Sequence, residues 1–423
     1  MLRRFSIVRT RESSAKFARG LVATAALALL SACATQGVGV DIPGAPGSVR
    51  TGGEQRVTIQ SMRDADGLLP PFMEGQRVVR VGVVLPFSHS SAQIRAESEG
   101  LLHGAELALF EQAGDEVMLL PKDAGSTPQT AEEATKLALK DGADIVLGPL
   151  LAQTVPGAAS AARSKNVPLI AFTNDRSMAQ QGAYILSFTP AQEVDRIISF
   201  AAKKGYKSFA LLAPETELGT RTEEAFRAAV ARNGGSISIV QKYPRDPSKL
   251  QAPIAAAAAA LGRISGKQAI LIPERGNVLR AIAPALIINK VDMTRTKLLG
   301  TSAWGEEDVS REPALKGGWY AASDPAAHAA FESRYEQAFG KKPTRLASLA
   351  YDATALASAL GANGPQGINR QRIETADGFV GADGLFRFLG DGTAQRGLSI
   401  LEISPGAPKV ADPSPKRFPA TGA

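Results

Sequence analysis

The sequence predicts an α/β protein of two lobes, each a mainly parallel sheet covered by helices. Three observations predict it. Short β-branched apolar runs alternate with stretches of helical periodicity, the pattern of βαβ units whose sheet is buried on both faces. The alternation runs as two separate series, the first beginning near residue 79 and the second near Gln192. At 423 residues the chain is also longer than one hydrophobic core usually serves. A hydrophobic content of 44% with 21% charged residues fits a globular protein and excludes wholesale disorder.

The first series opens on Arg80-Val-Gly-Val-Val-Leu85, stopped by Pro86. Ala96 to Phe110 then carries Leu101, Leu102, Ala105, Ala108 and Leu109 as a helical stripe. Strand 117–120 pairs with helix 130–140, and strand 145–147 with helix 154–164. Strands at 169–172 and 185–188 follow. The second series reads as helix 192–203, strand 208–213, helix 221–233, strand 237–241, helix 248–261, strand 269–272, helix 277–288 and strand 297–300. Its alanine run, Ile254 to Ala260, reads as a closely packed helix.

After Ala321 the pattern changes. Helices 326–339 and 347–360 follow each other with no strand between them. Leu385, Phe386 and Phe388 then lie on a Gly/Asp-turned hairpin, with 396–403 as its closing strand.

Both ends differ in composition from this body. The first 32 residues hold six basic groups and one acid, followed by an apolar run, Leu21 to Leu30. As a helix this run of about ten residues would span roughly 15 Å, short of a bilayer core of about 30 Å, which suits the removable h-region of an export signal. Leu30-Ser31-Ala32-Cys33 closes it and resembles a bacterial lipobox. That resemblance implies cleavage before Cys33 and lipidation of its thiol, with several acyl chains anchoring firmly. Ala34 in place of Asp favours the outer membrane of a Gram-negative cell by the same resemblance. The Gly- and Pro-rich stretch that follows reads as a tether, so residues 33–78 form a lipidated, flexible N-terminus. Five prolines after Ser404 mark 405–423 as an exposed tail.

The charge excess sits mainly in the export signal. The whole chain has 48 Lys and Arg against 41 Asp and Glu, but residues 33–423 keep a net charge of only +2. With 6% aromatic residues, nothing there is a nucleic-acid footprint. His89, His103 and His328 lack metal-ligand spacing, and the single cysteine excludes a multi-cysteine zinc site and any internal disulfide. No Gly-x-Ser-x-Gly elbow is present. Gly262 to Gln268 imitates a phosphate loop only loosely, lacking its spacing and its Ser or Thr. Asp377, Asp383 and Asp391 stand beside glycines, where aspartate makes turns. The reading is of a protein that is not an enzyme and takes no cofactor and no metal.

Val81-Gly-Val-Val-Leu-Pro-Phe87, Gly104-Ala-Glu-Leu-Ala108, Lys122-Asp-Ala-Gly-Ser-Thr127, Ile145-Val-Leu-Gly-Pro-Leu150, Val167-Pro-Leu-Ile-Ala171 and the turn at 378–384 follow one another in an order that resembles a type I periplasmic binding protein of the leucine/isoleucine/valine-binding kind. The resemblance covers about residues 79–404. It implies three chain crossings between the lobes and a ligand cleft between them. Lobe one would hold 79–190 and 322–362, and lobe two 191–321 and 363–404. The cleft positions it implies are Ser88, Thr154, Thr173 and Asn174 for a carboxylate, near loop-to-helix junctions where unpaired N–H groups favour anions. Glu274 would face an ammonium from lobe two. Ala152 and Gln153 stand where a serine is common.

Two functions follow from that resemblance. The lipobox, Ala34 and the altered carboxylate loop resemble the penicillin-binding protein activators, outer-membrane lipoproteins that dock a bifunctional peptidoglycan synthase. The helical-repeat domain of some members has no counterpart in residues 34–75. The alternative is a solute-binding lipoprotein that delivers an amino acid or related molecule to an ABC transporter. The expected location is the periplasmic face of the outer membrane, held by lipid on Cys33.

Overall fold

The computed structural model describes residues 78–418, apart from 114–115, 306–308, 310–311 and 363. The export signal, Cys33 and nearly all of the tether lie outside the described residues. The first series becomes β1 (Val79–Leu85), α1 (Ala92–Ala108), β2 (Val117–Asp123), α2 (Pro128–Lys140), β3 (Ile145–Leu147), α3 (Val155–Ser164), β4 (Leu169–Ala171) and β5 (Ala183–Ile185). These strands form one parallel sheet in the order β2-β1-β3-β4-β5. Val81, on the interior strand β1, stands beside both Leu119 and Ile145. Such strands are buried on both faces, which is why they read as unbroken apolar runs.

Local chemistry sets the element ends. Thr127 caps α2 through a reciprocal bond pair with Thr130, and Pro128 occupies the first turn, where its missing N–H costs nothing. α1 begins four residues earlier than its apolar stripe, because Ala92 to Arg95 contribute no buried face. At its other end, residues 109–113 continue as a turn of π-helix.

The second series gives α4 (Pro190–Lys203), β6 (Ser208–Pro214), α5 (Glu217–Arg232), β7 (Ser236–Tyr243), α6 (Gln251–Gly262), β8 (Gln268–Leu271), α7 (Gly276–Ile288), β9 (Thr296–Gly300) and β10 (Trp319–Ala322). The chain then returns through α8 (Pro325–Phe339), α9 (Ala347–Gly361), α10 (Arg370–Ile373), β11 (Phe379–Gly381), β12 (Gly384–Phe388) and β13 (Ala394–Arg396). It ends on β14 (Ser399–Glu402) and β15 (Lys409–Asp412). The second sheet runs β15-β14-β10-β9-β8-β6-β7, antiparallel at β14 and β15 and parallel elsewhere.

Two expectations are corrected here. The hairpin region was expected in lobe two, yet β11, β12 and β13 form their own antiparallel sheet against the first lobe. Phe386, Phe388, Ala394, Ile368 and Ile373 share a core with Val81, Ile145, Tyr184 and the α9 residues Leu349, Ala353 and Leu356. The closing strand predicted as 396–403 is really two. Arg396 ends β13 in one sheet, and Ser399 starts β14 in the other. The final crossing is therefore at Gly397–Leu398 and not near 362. The second correction concerns the tail. Lys409–Asp412 adds an edge strand to the second sheet, Asp412 pairs with Arg196 at 2.6 Å, and Phe418 lies buried under the Arg387 guanidinium.

One close approach holds α1 to α9. A Cβ on Gly104 would sit 2.0 Å from the carbonyl oxygen of Ala347, so only glycine lets the two helices meet there. The alanines of α6 pack likewise, with Ile254, Ala257, Ala258 and Leu261 buried.

Candidate functional site

In open parallel sheets, ligands bind outside the carboxyl ends of the strands. The loops after β1, β3 and β4 of the first lobe, and after β6, β8 and β9 of the second, are the ones that occupy such ends. All five cleft residues expected from sequence lie in or beside these loops, and the structure shows what each side chain already does.

Thr154 is 1% exposed, and its hydroxyl donates back to the Leu151 carbonyl at 2.7 Å. Thr173 is 4% exposed and accepts from the Asp175 backbone N–H at 3.2 Å. Ser88 is exposed, and its backbone N–H bonds Asp123 Oδ1 at 3.3 Å. Burial pushes the Asp123 carboxyl up, but the Ser88 hydroxyl and the N–H groups of Gly125, Ser88 and Phe87 outweigh it and hold the pKa below its usual value. Glu274 is buried within the second lobe, accepting from the Tyr243 hydroxyl at 3.1 Å, from Arg245 at 2.9 Å and from the Arg275 N–H at 3.1 Å. Burial first, and then Glu274, push the Tyr243 phenol well above its usual pKa. Thr154, Ser88 and Glu274 are thus engaged within their own lobes, Thr173 is engaged as an acceptor, and Glu274 is compensated without an ammonium ligand.

Asn174 behaves differently. It is exposed, and its amide oxygen accepts from Arg221, on α5 of the other lobe, at 3.5 Å. Arg221 also pairs with Asp175 at 3.2 Å and with Glu217 at 2.5 Å. The Ser177 hydroxyl bonds Asp175 and, with the Ser177 N–H and Arg221, holds its carboxyl below the usual range against the effect of burial. A second bridge joins the lobes where Arg345, just before α9, reaches Ser302 Oγ at 3.5 Å. Ser302 is fixed in turn by Glu193, which accepts from its hydroxyl at 2.6 Å and from its N–H at 3.1 Å. Arg345 also lies 5.8 Å from the centre of the Phe188 ring. Arg221, Arg345, Glu193 and Ser302 were not legible from sequence, since no spacing links residues so far apart in the chain.

Sequence reading also treated Asp383 as an ordinary turn aspartate. It is instead 2% exposed and bonded at 2.7 Å to Nδ1 of His328. Asp391 does make the expected turn, accepting from Thr393. His103 is packed, stacked on Phe339 with ring centres 4.5 Å apart and bonded to the Tyr335 hydroxyl. Among the described residues, no cluster of three or more His, Cys, Asp or Glu could hold a metal ion. No described helix is long and apolar enough to cross a membrane.

Among curated proteins, none matches the chain by sequence. Its architecture is similar to several solved structures. One is a proposed branched-chain amino acid ABC transporter from Rhodospirillum rubrum, at 20% identity and a TM-score of 0.67, covering 79% of this chain and 99% of that one. Another is an ABC transporter substrate-binding protein from Sphaerobacter thermophilus, at 19% identity and TM-score 0.62, covering 81% and 98%. A third is an ABC-type branched-chain amino acid transporter from Rhodopseudomonas palustris, at 16% and 0.61, covering 79% and 95%. At these identities the likeness establishes the two-lobed fold. The sequence pattern of the periplasmic binding proteins matches residues 78–408, and with most of its length so matched the chain belongs to the periplasmic binding protein family.

Proposed function

We propose that the protein is a lipid-anchored periplasmic receptor that closes its two lobes on a small molecule and presents it to an ABC transporter. The observation that carries this reading is the pair of polar bridges across the strand-end loops, Arg221 to Asp175 and Asn174, and Arg345 to Ser302. They join the lobes where this fold takes its ligands. Export and anchorage are assigned to the segment ending at Cys33. The ligand class is narrowed by the commitments of Thr154, Thr173 and Glu274. With Glu274 already compensated by Tyr243 and Arg245, an ammonium would find no free carboxylate, so a ligand lacking the ammonium is favoured, its own carboxylate resting on loop N–H groups more than on these hydroxyls. A thermal-shift panel of amino acids against aliphatic and aromatic carboxylates tests this. A selective shift with a carboxylate supports the reading, and a shift with an amino acid alone overturns the assigned class.

The same commitments favour a second reading, in which the cleft serves no solute and the protein activates a bifunctional penicillin-binding protein by surface docking. Affinity capture from solubilised envelope separates the two. Recovery of a peptidoglycan synthase without a permease supports the activator, and recovery of a permease alone removes it.

A further inference from the structure

Beneath the cleft, the chain crosses between the lobes at 186–189, 323–324 and 397–398, between elements whose ends are β5 and α4, β10 and α8, and β13 and β14. One buried charge cluster touches all three crossings. Arg396, the last residue of β13, has a side chain only 2% exposed, and its guanidinium lies 4.7 Å from the centre of the Phe188 ring in the first crossing and 5.7 Å from that of Phe386. Its partner is Asp352 on α9, wholly buried and 3.6 Å away. That gap is longer than a hydrogen bond, so charge alone pairs them. None of the three guanidinium nitrogens makes a hydrogen bond within the described residues, and neither does Asp352 Oδ2. Asp352 Oδ1 accepts from the Ala382 N–H at 2.6 Å, in the β11–β12 turn. The next residue, Asp383, bonds His328, in the first turn of α8 after the second crossing.

We infer that this cluster is a protonation-sensitive hinge, in which the charge on Asp352 and His328 sets how the three crossings pack and so how the lobes open. A buried guanidinium facing an ion pair that is not hydrogen-bonded is costly unless fully compensated, which makes its packing responsive to the charge opposite it. The groups that face it are few. From α8 come His328 and Glu332, which stands 3.7 Å from His328 Nε2. α9 supplies Asp352, the β11–β12 turn Asp383, and β13 Arg396, while Arg345 shares the Phe188 ring. Burial pushes the Asp352 carboxyl up to about 7, with Arg396 pulling it down and Asp383 pushing it further up. The bond to Asp383 raises His328 above its usual value, against the effect of burial. Burial pushes the Asp383 carboxyl up, but His328 and Arg396 outweigh it and hold it below the usual range. Below neutrality Asp352 is neutral and His328 charged, so Arg396 loses its nearest anion. Above neutrality Asp352 is an anion and draws the guanidinium toward α9 and away from Phe188.

The test measures the lobe-to-lobe distance by electron spin resonance in the full chain carrying Cys33→Ser, with spin labels at Lys136→Cys on α2 and Arg280→Cys on α7. The wild-type hinge should give different distance distributions at about pH 6 and about pH 8.5, either side of the unperturbed imidazole value. Asp352→Asn, nearly isosteric and unable to titrate, should leave only the smaller His328 part of the response, and His328→Gln should give a reduced response. A wild-type distribution that does not move with pH overturns the inference, and so does a full response in Asp352→Asn. Should that variant fail to fold, an unreduced response in His328→Gln overturns it equally. No ligand is needed, so failure here is distinct from failure of the receptor reading.

Discussion

Single residues carry the sharpest consequences of this packing. Asp352 has a folded pKa raised above its unfolded value, so the folded state holds the proton more tightly. Its contribution to stability is complete below about pH 4 and is lost as pH rises through about 7. His328, also raised, acts in the same direction, its contribution complete below the ordinary imidazole value of 6.5 and lost as pH rises through its higher folded value. The midpoint of thermal unfolding should therefore fall between mildly acidic and mildly alkaline buffer, and Asp352→Asn should flatten that slope in calorimetry. Gly104→Val would force a side chain against the Ala347 carbonyl and should cost about 1–3 kcal/mol or more, read by urea unfolding. Trp304, wholly buried, donates from its ring to the Ile272 carbonyl at 3.0 Å. Trp304→Ala should cost about 3–5 kcal/mol. At this scale the sequence was least informative. Thr154 could be seen to have a hydroxyl, but not that the hydroxyl folds back three residues onto Leu151. Asp383 beside its glycines looked like a turn, because a partner 55 residues away leaves no mark on local pattern.

At the level of elements, legibility followed local periodicity. The strands β1, β3, β4, β6 and β8 were plain because burial on both faces makes them continuously apolar. Leu385, Phe386 and Phe388 likewise announced a buried strand, but their composition says nothing of which lobe they cover, and β12 joined the first. β15 escaped notice for the opposite reason. Lys409 to Val410 are exposed and prolines flank the strand, so nothing in Lys-Val-Ala-Asp competes with a loop reading. Ending the chain after Pro408 should remove the edge pairing, the Arg196–Asp412 bridge and the Phe418 cover. A loss of roughly 0.5–3 kcal/mol of stability is expected, read as a lowered urea midpoint, with the parallel core of the second sheet intact by circular dichroism. Arg221, on α5, is a half-buried bridge at the cleft and should matter more for lobe position than for stability. Arg221→Ala should cost under about 1 kcal/mol while shifting small-angle scattering of the ligand-free protein toward a more extended form.

For the molecule as a whole, the near-neutral charge of residues 33–423, the two lobes and the family were all readable in order along the sequence. The expected processing at Cys33 has a direct check, since Cys33→Ser should accumulate as uncleaved precursor in fractionated cells. The hairpin's true place also fixes an order of assembly. One face of the first sheet is covered by α2 and α3, helices lying between its own strands. The opposite face needs α9 and β12 as well as α1, and α9 and β12 come more than 200 residues after β1. A chain emerging N-terminus first therefore finishes most of the second lobe while the first still shows an uncovered apolar face. Closing that face requires long-range contacts, which are slow to form. The first lobe, though begun earliest, is the one completed last, and until then it is the half that needs shielding from aggregation.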